Sequence, residues 1–180
     1  MKRTRGDSLT GGSGDVNPQT MVMQALQPGA DQTGTQASAL PIPRLPIRRG
    51  KSIVMELLGV QFLATTTPAT AASYRMAVLT TNPNAFTTLT NICADPRVLA
   101  NWLQWTVVGG TSGIAYVDQS KYVSLTDDAG HGILVATDQM YLFSYSAGTG
   151  VANEFVARVE YRFKEVSLEE YIGIVQSQQG

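Results

Sequence analysis

The sequence has very few of the side chains from which metal centres and nucleophilic sites are built. Among its 180 residues there is one cysteine, Cys93, and one histidine, His131. A single cysteine cannot close a disulfide within the chain, and these two residues cannot supply the four ligands of a structural zinc site. The sequence also lacks a Gly-x-Ser-x-Gly elbow, a phosphate-binding loop and a dinucleotide-binding fingerprint. We therefore predict no enzymatic activity, no cofactor and no metal site.

Aspartates in predicted turns are the remaining candidates for metal ligands. They could bring oxygen ligands to a calcium ion between subunits, but turn aspartates without a ligand are the simpler interpretation. The residues concerned are Asp118, Asp127, Asp128 and Asp138.

Long apolar runs are missing as well. No stretch approaches the roughly 20 apolar residues that span a bilayer. The charged start, residues 1–5, is not followed by an apolar segment of signal-peptide length. We therefore expect a soluble chain that is made in a cytosol and has no membrane partner.

The first 50 residues contain none of the fourteen aromatic residues but five of the eight prolines. A segment of this composition buries too little apolar surface to offset the entropy lost when it is ordered. Charge divides at the same place, because residues 1–51 carry a net charge of +4 and residues 52–180 one of −5. We expect a flexible, basic and proline-rich arm over residues 1–50 and a folded domain over residues 51–180.

The charge of the arm predicts an anionic partner. Lysine and arginine neutralise phosphates without reading base sequence, so nucleic acid is the expected ligand. The net charge is small for a dedicated nucleic-acid arm, and no aromatic side chain lies among the cations to stack on bases. A merely solubilising tail is the alternative. The predicted nucleic-acid-binding residues are Lys2, Arg3, Arg5, Arg44, Arg48, Arg49 and Lys51.

The end of the chain shows the clearest pattern of secondary structure. Residues 154–165 alternate between two sets of side chains, which predicts a long strand with one buried face. The sequence Ser167-Leu168-Glu169-Glu170 is a capping box that starts a helix. Behind it, one helical face carries Leu168, Tyr171, Ile172 and Val175.

The rest of the folded part predicts short strands separated by turns. Residues 51–64 are apolar on both faces except for Glu56, which we expect in a salt bridge or at a rim. One or two helical turns are predicted over residues 95–101. The other predicted strands cover 74–80, 102–108, 113–117, 121–126, 133–137 and 141–145. Eight strands without alternating long helices predict an all-β fold, an eight-stranded antiparallel jelly-roll sandwich with short helical inserts.

The arm, the proline-rich entry and the sandwich together resemble jelly-roll capsid proteins of small circular Rep-encoding single-stranded DNA (CRESS-DNA) viruses. Residues 2–5, 48–58 and above all 159–178 carry the resemblance. It implies an icosahedral T=1 shell of sixty copies, with arms facing a packaged single-stranded DNA genome. It also implies a location in the virion, after synthesis in the host cytosol and with possible passage through the host nucleus.

The sequence departs from the circovirus pattern, whose arms are dense in arginine. Arg44, Arg48, Arg49 and Lys51, at the border between arm and shell, would then carry more of the genome contact. The sequence identifies no host receptor.

Self-assembly requires surfaces that bind a second copy. The predicted interface residues are Trp102, Trp105, Tyr171, Ile172 and Val175, with a core position as the alternative for both tryptophans. Two other function classes compete with a coat protein. One is a non-viral or phage β-sandwich binding module, of carbohydrate-binding or fibre-head type, with a linker tail. The other is a hydrolase on a jelly-roll scaffold, for which the sequence lacks the residues.

Overall fold

The computed structural model describes residues 17–39, 50–65, 73–84, 86, 92, 94–106 and 120–179. Within these residues the chain forms nine β-strands and a helix at the end of the last strand, and Ile92 and Ala94 also have helical backbone. The strands are β1 Gln19–Leu26, β2 Thr33–Ala39, β3 Lys51–Ala64, β4 Ser73–Thr80, β5 Val98–Thr106, β6 Ser120–Ser124, β7 Ile133–Val135, β8 Gln139–Ala147 and β9 Glu154–Ser167, and the helix is α1 Leu168–Gln179.

The strands form two antiparallel sheets with a nested order of pairing. One sheet has the order β1-β9-β3-β6, with β7 also paired to β3, and the other has the order β2-β8-β4-β5. The first strand therefore pairs with the last, the second with the one before the last, and the fourth with the fifth. The chain therefore runs as one long antiparallel hairpin that is folded over, and successive pairs along this hairpin lie in opposite sheets. The arrangement is a jelly roll, which confirms the predicted fold class, with nine strands in the described residues where eight were predicted.

The core lies between the two sheets. On β9 every second side chain faces inward, as its alternation predicts, and those five side chains are at most 6% exposed. On β3 the alternation slips, because the register with β9 shifts between Leu57 and Gly59. The shift allows both Leu57 and Val60 to face the core, which explains why the strand is apolar on both faces in sequence. The inward residues of β9 are Phe155, Ala157, Val159, Tyr161 and Phe163.

The structure corrects the predicted extent of the arm. Residues 19–26 and 33–39 were placed in the arm, but they are edge strands β1 and β2 of the two sheets. Composition correctly indicates that they cannot fold alone. An edge strand needs little apolar surface of its own, since β9 and β8 supply the hydrogen-bonding ladder. On β1 only Met23 and Ala25 are fully buried. Residues 1–16 and 40–49 of the predicted arm lie outside the described residues.

A second prediction was also wrong. The helical turns expected over residues 95–101 are replaced by a turn at 95–97, closed by Val98 N donating to Asp95 O at 3.2 Å, and by the start of β5. Pairing with β4 overrides the local helix signal, because it buries Leu99 and Ala100 in the core. The strand predicted over 113–117 lies outside the described residues. The capping box is confirmed, since Glu170 N donates to Ser167 Oγ at 3.2 Å.

Two glycine substitutions test this architecture in opposite directions. At Gly34 an added Cβ would collide with the backbone carbonyl of Leu26 and with Ser144 Oγ, both fixed by the sheets. We expect Gly34→Ala to lower the free energy of unfolding by about 2 kcal/mol.

At Gly173, in α1, a Cβ meets nothing within 4 Å. Gly173→Ala should raise stability by up to about 1 kcal/mol. Urea denaturation measures both, and equal stability of the Gly34→Ala variant would contradict the close approach of β1 and β2.

Candidate subunit-contact surfaces

The outer face of the sheet β2-β8-β4-β5 is apolar although it points away from the core. Met76, Val78 and Phe143 on this face are at most 1% exposed. They are covered by Phe86 and Ile92 from the connection between β4 and β5. The ring of Phe86 meets that of Phe143 edge-on, with centroids 5.8 Å apart. This sheet therefore has a second, smaller apolar cluster on its outside.

Asp95 holds the connection that covers this face. Its carboxylate accepts hydrogen bonds from Arg97 Nε at 2.9 Å and Nη2 at 3.0 Å, and from Asn82 Nδ2 at 2.6 Å. Thr80 Oγ1 in turn donates to the Arg97 carbonyl oxygen at 2.8 Å. The hydrogen bonds from Arg97 lower the pKa of Asp95 to about 2. The connection that brings Phe86 over the sheet is thus tied by a bidentate ion pair.

Beyond Phe86 the same face carries an open group of three rings, which we call the aromatic cluster: Tyr74, Trp105 and Tyr145. The centroid of Tyr74 lies 5.0 Å from that of Trp105 and 5.9 Å from that of Tyr145. Trp105 is 60% exposed. Burial, the hydrogen bond with Tyr145 and the nearby carboxylate of Asp31 raise the pKa of the Tyr74 hydroxyl. Large exposed aromatic surface with polar groups at its margin is typical of binding surfaces.

The outer face of the other sheet is organised by a buried carboxylate. Glu56 is fully buried, and its Oε2 accepts a hydrogen bond from Arg162 Nε at 2.5 Å. Its Oε1 accepts from Gly132 N at 2.8 Å and lies 3.8 Å from Lys164 Nζ. Burial alone would raise the pKa of Glu56, but these hydrogen bonds and cations outweigh it and lower the pKa. The salt bridge expected for Glu56 is confirmed, and it fixes the turn between β6 and β7.

The same outer face ends in an exposed apolar group, which we call the apolar patch: Val22, Leu26 and Leu63. Their side chains are 64%, 62% and 42% exposed. The strand register places Val22 beside Arg158 of β9, and places Leu63 beside Val156. Arg158 is itself exposed. Val22 and Leu26 belong to the one short apolar run of the predicted arm, residues 21–26, whose sequence indicates either a docking patch or a weak local cluster, whereas no sequence signal marked Leu63 as exposed.

A buried polar network holds the end of the sandwich where both exposed groups lie. Gln27, Ser146, Thr149 and Asn153 are at most 1% exposed. Asn153 N and Ser146 Oγ donate to Gln27 Oε1 at 2.7 and 3.0 Å, and Gln27 N donates to the Asn153 carbonyl oxygen at 2.9 Å. Asn153 Nδ2 donates to Thr149 Oγ1 at 3.0 Å. These bonds join the turn after β1 to the turn between β8 and β9.

The helix α1 presents a third exposed group. Leu168 and Ile172 are 50% and 47% exposed and lie one turn apart, whereas Tyr171 and Val175 are half-buried. Gln178 accepts a hydrogen bond from Ala136 N at 3.1 Å and donates to the Leu134 carbonyl oxygen at 2.6 Å. Its amide therefore occupies hydrogen-bonding groups of β7 that another strand could otherwise use.

The predicted interface residues fall in different environments. Trp102 is 8% exposed and packs edge-on against Phe155 of the core, with centroids 5.6 Å apart. Its own chain covers the ring, so the core alternative applies and the interface prediction for Trp102 is corrected. Trp105 and Ile172 remain accessible to a partner.

Most of the predicted nucleic-acid-binding residues cannot be placed. Lys51 is exposed at the start of β3. The other six lie outside the described residues: Lys2, Arg3, Arg5, Arg44, Arg48 and Arg49.

Of the candidate calcium ligands, Asp118 lies outside the described residues, and Asp127, Asp128 and Asp138 form no ligand group with one another. His131 Nδ1 lies 3.2 Å from Asp127 Oδ2, and both side chains are mostly exposed. Asp127 Oδ1 accepts from His131 N and Ala129 N, so this carboxylate closes the turn. In the described part of the chain, no three acidic, cysteine or histidine side chains are grouped as metal ligands. No helix in that part is long and apolar enough to cross a membrane.

Comparison with known proteins finds a likeness in structure but not in sequence. No model of a protein family matches the chain, and no curated protein matches it. Among solved structures, it is similar to VP1 of trichodysplasia spinulosa-associated polyomavirus in complex with GM1 oligosaccharide. The identity is 10% and the TM-score 0.51, over 83% of this chain and 95% of that one. VP1 of the same virus in complex with 3'-sialyllactose gives 11% identity and a TM-score of 0.50, over 83% and 96% of the chains. At such identities the likeness shows a shared fold.

Removal of the buried charge at Glu56 should destabilise the fold strongly. Glu56→Gln leaves Arg162 without its carboxylate on a largely buried face, at a cost of about 3 kcal/mol. Glu160→Gln is the matched control, because Glu160 bonds only the half-exposed Tyr122 hydroxyl among the contacts described, at 3.0 Å. It should cost less than about 1 kcal/mol. Urea denaturation measures the free energy of unfolding of both variants. Equal losses of stability in the two variants would contradict the organising role of Glu56.

The Asp95 ion pair should show in the acid stability of the protein. Because the folded pKa is depressed to about 2, its stabilisation is complete above the ordinary value of 3.8 and disappears as pH falls towards 2. Asp95→Asn should lower stability by about 2 kcal/mol at pH 7 and remove that part of the acid dependence. Denaturation at pH 7, 4, 3 and 2 measures both effects. An unchanged slope between pH 4 and 2 in the variant would show that Asp95 is not the group responsible.

Proposed function

We propose that the chain is the coat protein of a small virus, and that copies of it assemble into an icosahedral shell. The observation that carries this proposal is a complete jelly roll with apolar side chains exposed on the outer faces of both sheets. Surfaces of this kind are costly for an isolated chain and favourable where a second copy covers them. The shared fold with VP1, a viral capsid protein, supports the same role.

The proposal includes sixty subunits, a T=1 shell and a single-stranded DNA genome, as in CRESS-DNA viruses. The sequence of the two ends of the folded part supports that assignment. The genome contacts are assigned to Lys2, Arg3, Arg5, Arg44, Arg48, Arg49 and Lys51. Sixty arms of this charge supply about +240, well below one phosphate per nucleotide for a genome of about a kilobase or more. Packaging therefore depends on further cations, and shells without nucleic acid should also form.

Subunit contacts are assigned to the exposed groups on the described surface. Trp105 belongs to the aromatic cluster, and Tyr171, Ile172 and Val175 belong to α1. Ile172, which is 47% exposed, is the apolar centre of the exposed helical surface. Copies assembled in this way place the protein in the virion, after synthesis in the host cytosol and with passage through the host nucleus as part of the proposal.

A glycan-binding module is the second candidate, and one observation favours it. An exposed aromatic platform is what such a module needs, and the aromatic cluster supplies one. The similar VP1 structures were solved with GM1 oligosaccharide and with 3'-sialyllactose. In this chain, however, the charge beside the aromatic cluster is the carboxylate of Asp31. A carboxylate repels an acidic sugar, so the cluster is poorly suited to sialylated ligands.

The particle mass of the purified full-length protein distinguishes the two candidates. With a chain of 19.3 kDa, sixty copies should sediment as a particle of about 1.2 MDa and appear as shells by negative-stain electron microscopy. The ratio of absorbance at 260 and 280 nm reports packaged nucleic acid. The double variant Arg48→Gln/Arg49→Gln should still form shells but with a lower ratio, because it removes phosphate contacts and leaves the sandwich unchanged. A stable monomer or trimer across salt and pH would overturn the coat-protein proposal and favour the binding module.

A further inference from the structure

We propose that copies of the chain associate head to tail, with the aromatic cluster of one copy on the apolar patch of the next. Asp31 of the first copy then faces Arg158 of the second. This inference rests on the proposed function, since it names the contact through which a shell is built. Four features of the described surface support this contact. Both surfaces are apolar, they lie on opposite outer faces at the same end of the sandwich, they carry opposite charges, and some backbone groups at the strand edges are already hydrogen-bonded.

The two surfaces are matched in chemistry. The aromatic cluster is a group of rings with one strongly exposed member, Trp105, flanked by half-buried Tyr74 and Tyr145. The apolar patch consists of aliphatic side chains, with Val22 and Leu26 each more than 60% exposed on either side of Gln24. Burying such groups together removes apolar area from water on both copies. A rigid tryptophan anchored among aliphatic side chains is a common centre of a protein interface.

The positions of the two surfaces specify how the copies stack. They lie on the opposite outer faces of the sandwich, since one is on the sheet of β4 and the other on the sheet of β3. They also lie at the same end, because Leu26 precedes the turn to β2 and Tyr145 pairs with Thr33, which follows that turn. Copies in contact therefore have their strands pointing the same way. A contact between two different faces is heterologous, and it closes a ring where the rotation from copy to copy divides a full turn.

Charge supports the same pairing. Asp31 is exposed beside Tyr74, in a left-handed turn conformation with φ of 58°, and it makes no ion pair with another described residue. Arg158 is exposed beside Val22 and likewise makes no ion pair within the described residues. The aromatic cluster thus has the carboxylate of Asp31 at its margin, and the apolar patch has the guanidinium of Arg158 beside Val22. A second charge of the patch, Glu154 opposite Leu26, already accepts hydrogen bonds from Gln24 and Thr65. Such an arrangement selects the orientation of a contact and disfavours pairing of two identical faces.

The strand edges favour contact through faces. On the free side of β1, Gln24 N donates to the side-chain oxygen of Gln36 from β2. On β7, the amide of Gln178 occupies Ala136 N and the Leu134 carbonyl oxygen. These backbone groups on both sides of the first sheet are therefore already hydrogen-bonded within the chain. Association by adding a strand at β1 or β7 would have to displace them, whereas contact through the two outer faces leaves them in place.

A charge-exchange experiment on the full-length protein tests the contact. Asp31→Lys and Arg158→Glu each place like charges together, and each should weaken subunit association about tenfold or more in sedimentation velocity. The double variant Asp31→Lys/Arg158→Glu restores opposite charges and should recover assembly. Asp128→Lys is the matched control, because Asp128 is exposed in the turn between β6 and β7, and the pairing of Ile133 with Leu57 places the end of that turn six residues along β3 from Leu63. Circular dichroism checks that each variant is folded.

Tryptophan fluorescence gives a second readout that does not depend on a variant. Trp102 is buried and Trp105 is exposed, so iodide quenching of the isolated chain reports Trp105. Assembly should reduce that quenching, because the next copy covers the ring. Equal quenching in shells and in isolated chains would show that the aromatic cluster is not covered, and would overturn the inference. Binding of a neutral glycan to Trp105 in intact shells would also overturn it.

The remaining outcomes separate this inference from the proposed function. If the wild type forms shells and both single variants assemble as well as Asp128→Lys, the head-to-tail contact is wrong and the coat-protein proposal stands. Failure of the folded double variant to recover, when both singles are impaired, rejects the pairing of Asp31 with Arg158. If the wild type itself never assembles, the proposed function is overturned, and this contact with it.

Discussion

The structure depends on the antiparallel pairing of β3 with β9. These are the two 14-residue strands, and their register runs from Lys51 opposite Ser167 to Ala64 opposite Phe155. The pair forms the middle of one sheet, with β1 on one side and β6 and β7 on the other. The inward side chains of both strands make up much of the core between the sheets. The two strands are far apart in sequence, so their pairing is a non-local contact that closes a long loop. The elements between them are arranged around this pair.

The two faces of this pair have different physical roles. The inner face supplies apolar burial, and the outer face carries alternating charges, of which Glu56 and Arg162 are the buried pair. That pair contributes specificity of register, because a shift of one residue on β3 would place Glu56 in the apolar core. The ion pair also fixes the turn between β6 and β7, since Gly132 N donates to Glu56 and Arg162 Nη2 donates to the Gly130 carbonyl oxygen at 3.2 Å. A single buried carboxylate thus links strand register to a surface turn.

The second sheet differs from the first because both of its faces are apolar. Its inner face joins the main core, and its outer face is covered in part by Phe86 and Ile92 and left open at Trp105. A chain that acted alone would gain by closing this gap with polar side chains. Exposed rings on this sheet and exposed aliphatic side chains on the opposite sheet favour association through faces, and so do the backbone groups of β1 and β7 that are already hydrogen-bonded within the chain. The helix α1 also exposes apolar side chains, of which Ile172 is one.

Patterns in the amino-acid sequence were enough to predict the fold class, the long strand β9, the capping box of α1 and the salt bridge of Glu56. Each of these is a local signal: a period of two, a cap at a helix start, or a charge in an apolar run. Tertiary contacts make residues 19–26 and 33–39 strands, because their stability comes from the ladders of β9 and β8 and from two buried side chains on β1. They also make Val98–Asn101 extended, and they leave Trp102 buried and Trp105 exposed. Alternation along β5 places those two tryptophans on opposite faces, but only the packing of the sheets determines which face the core takes.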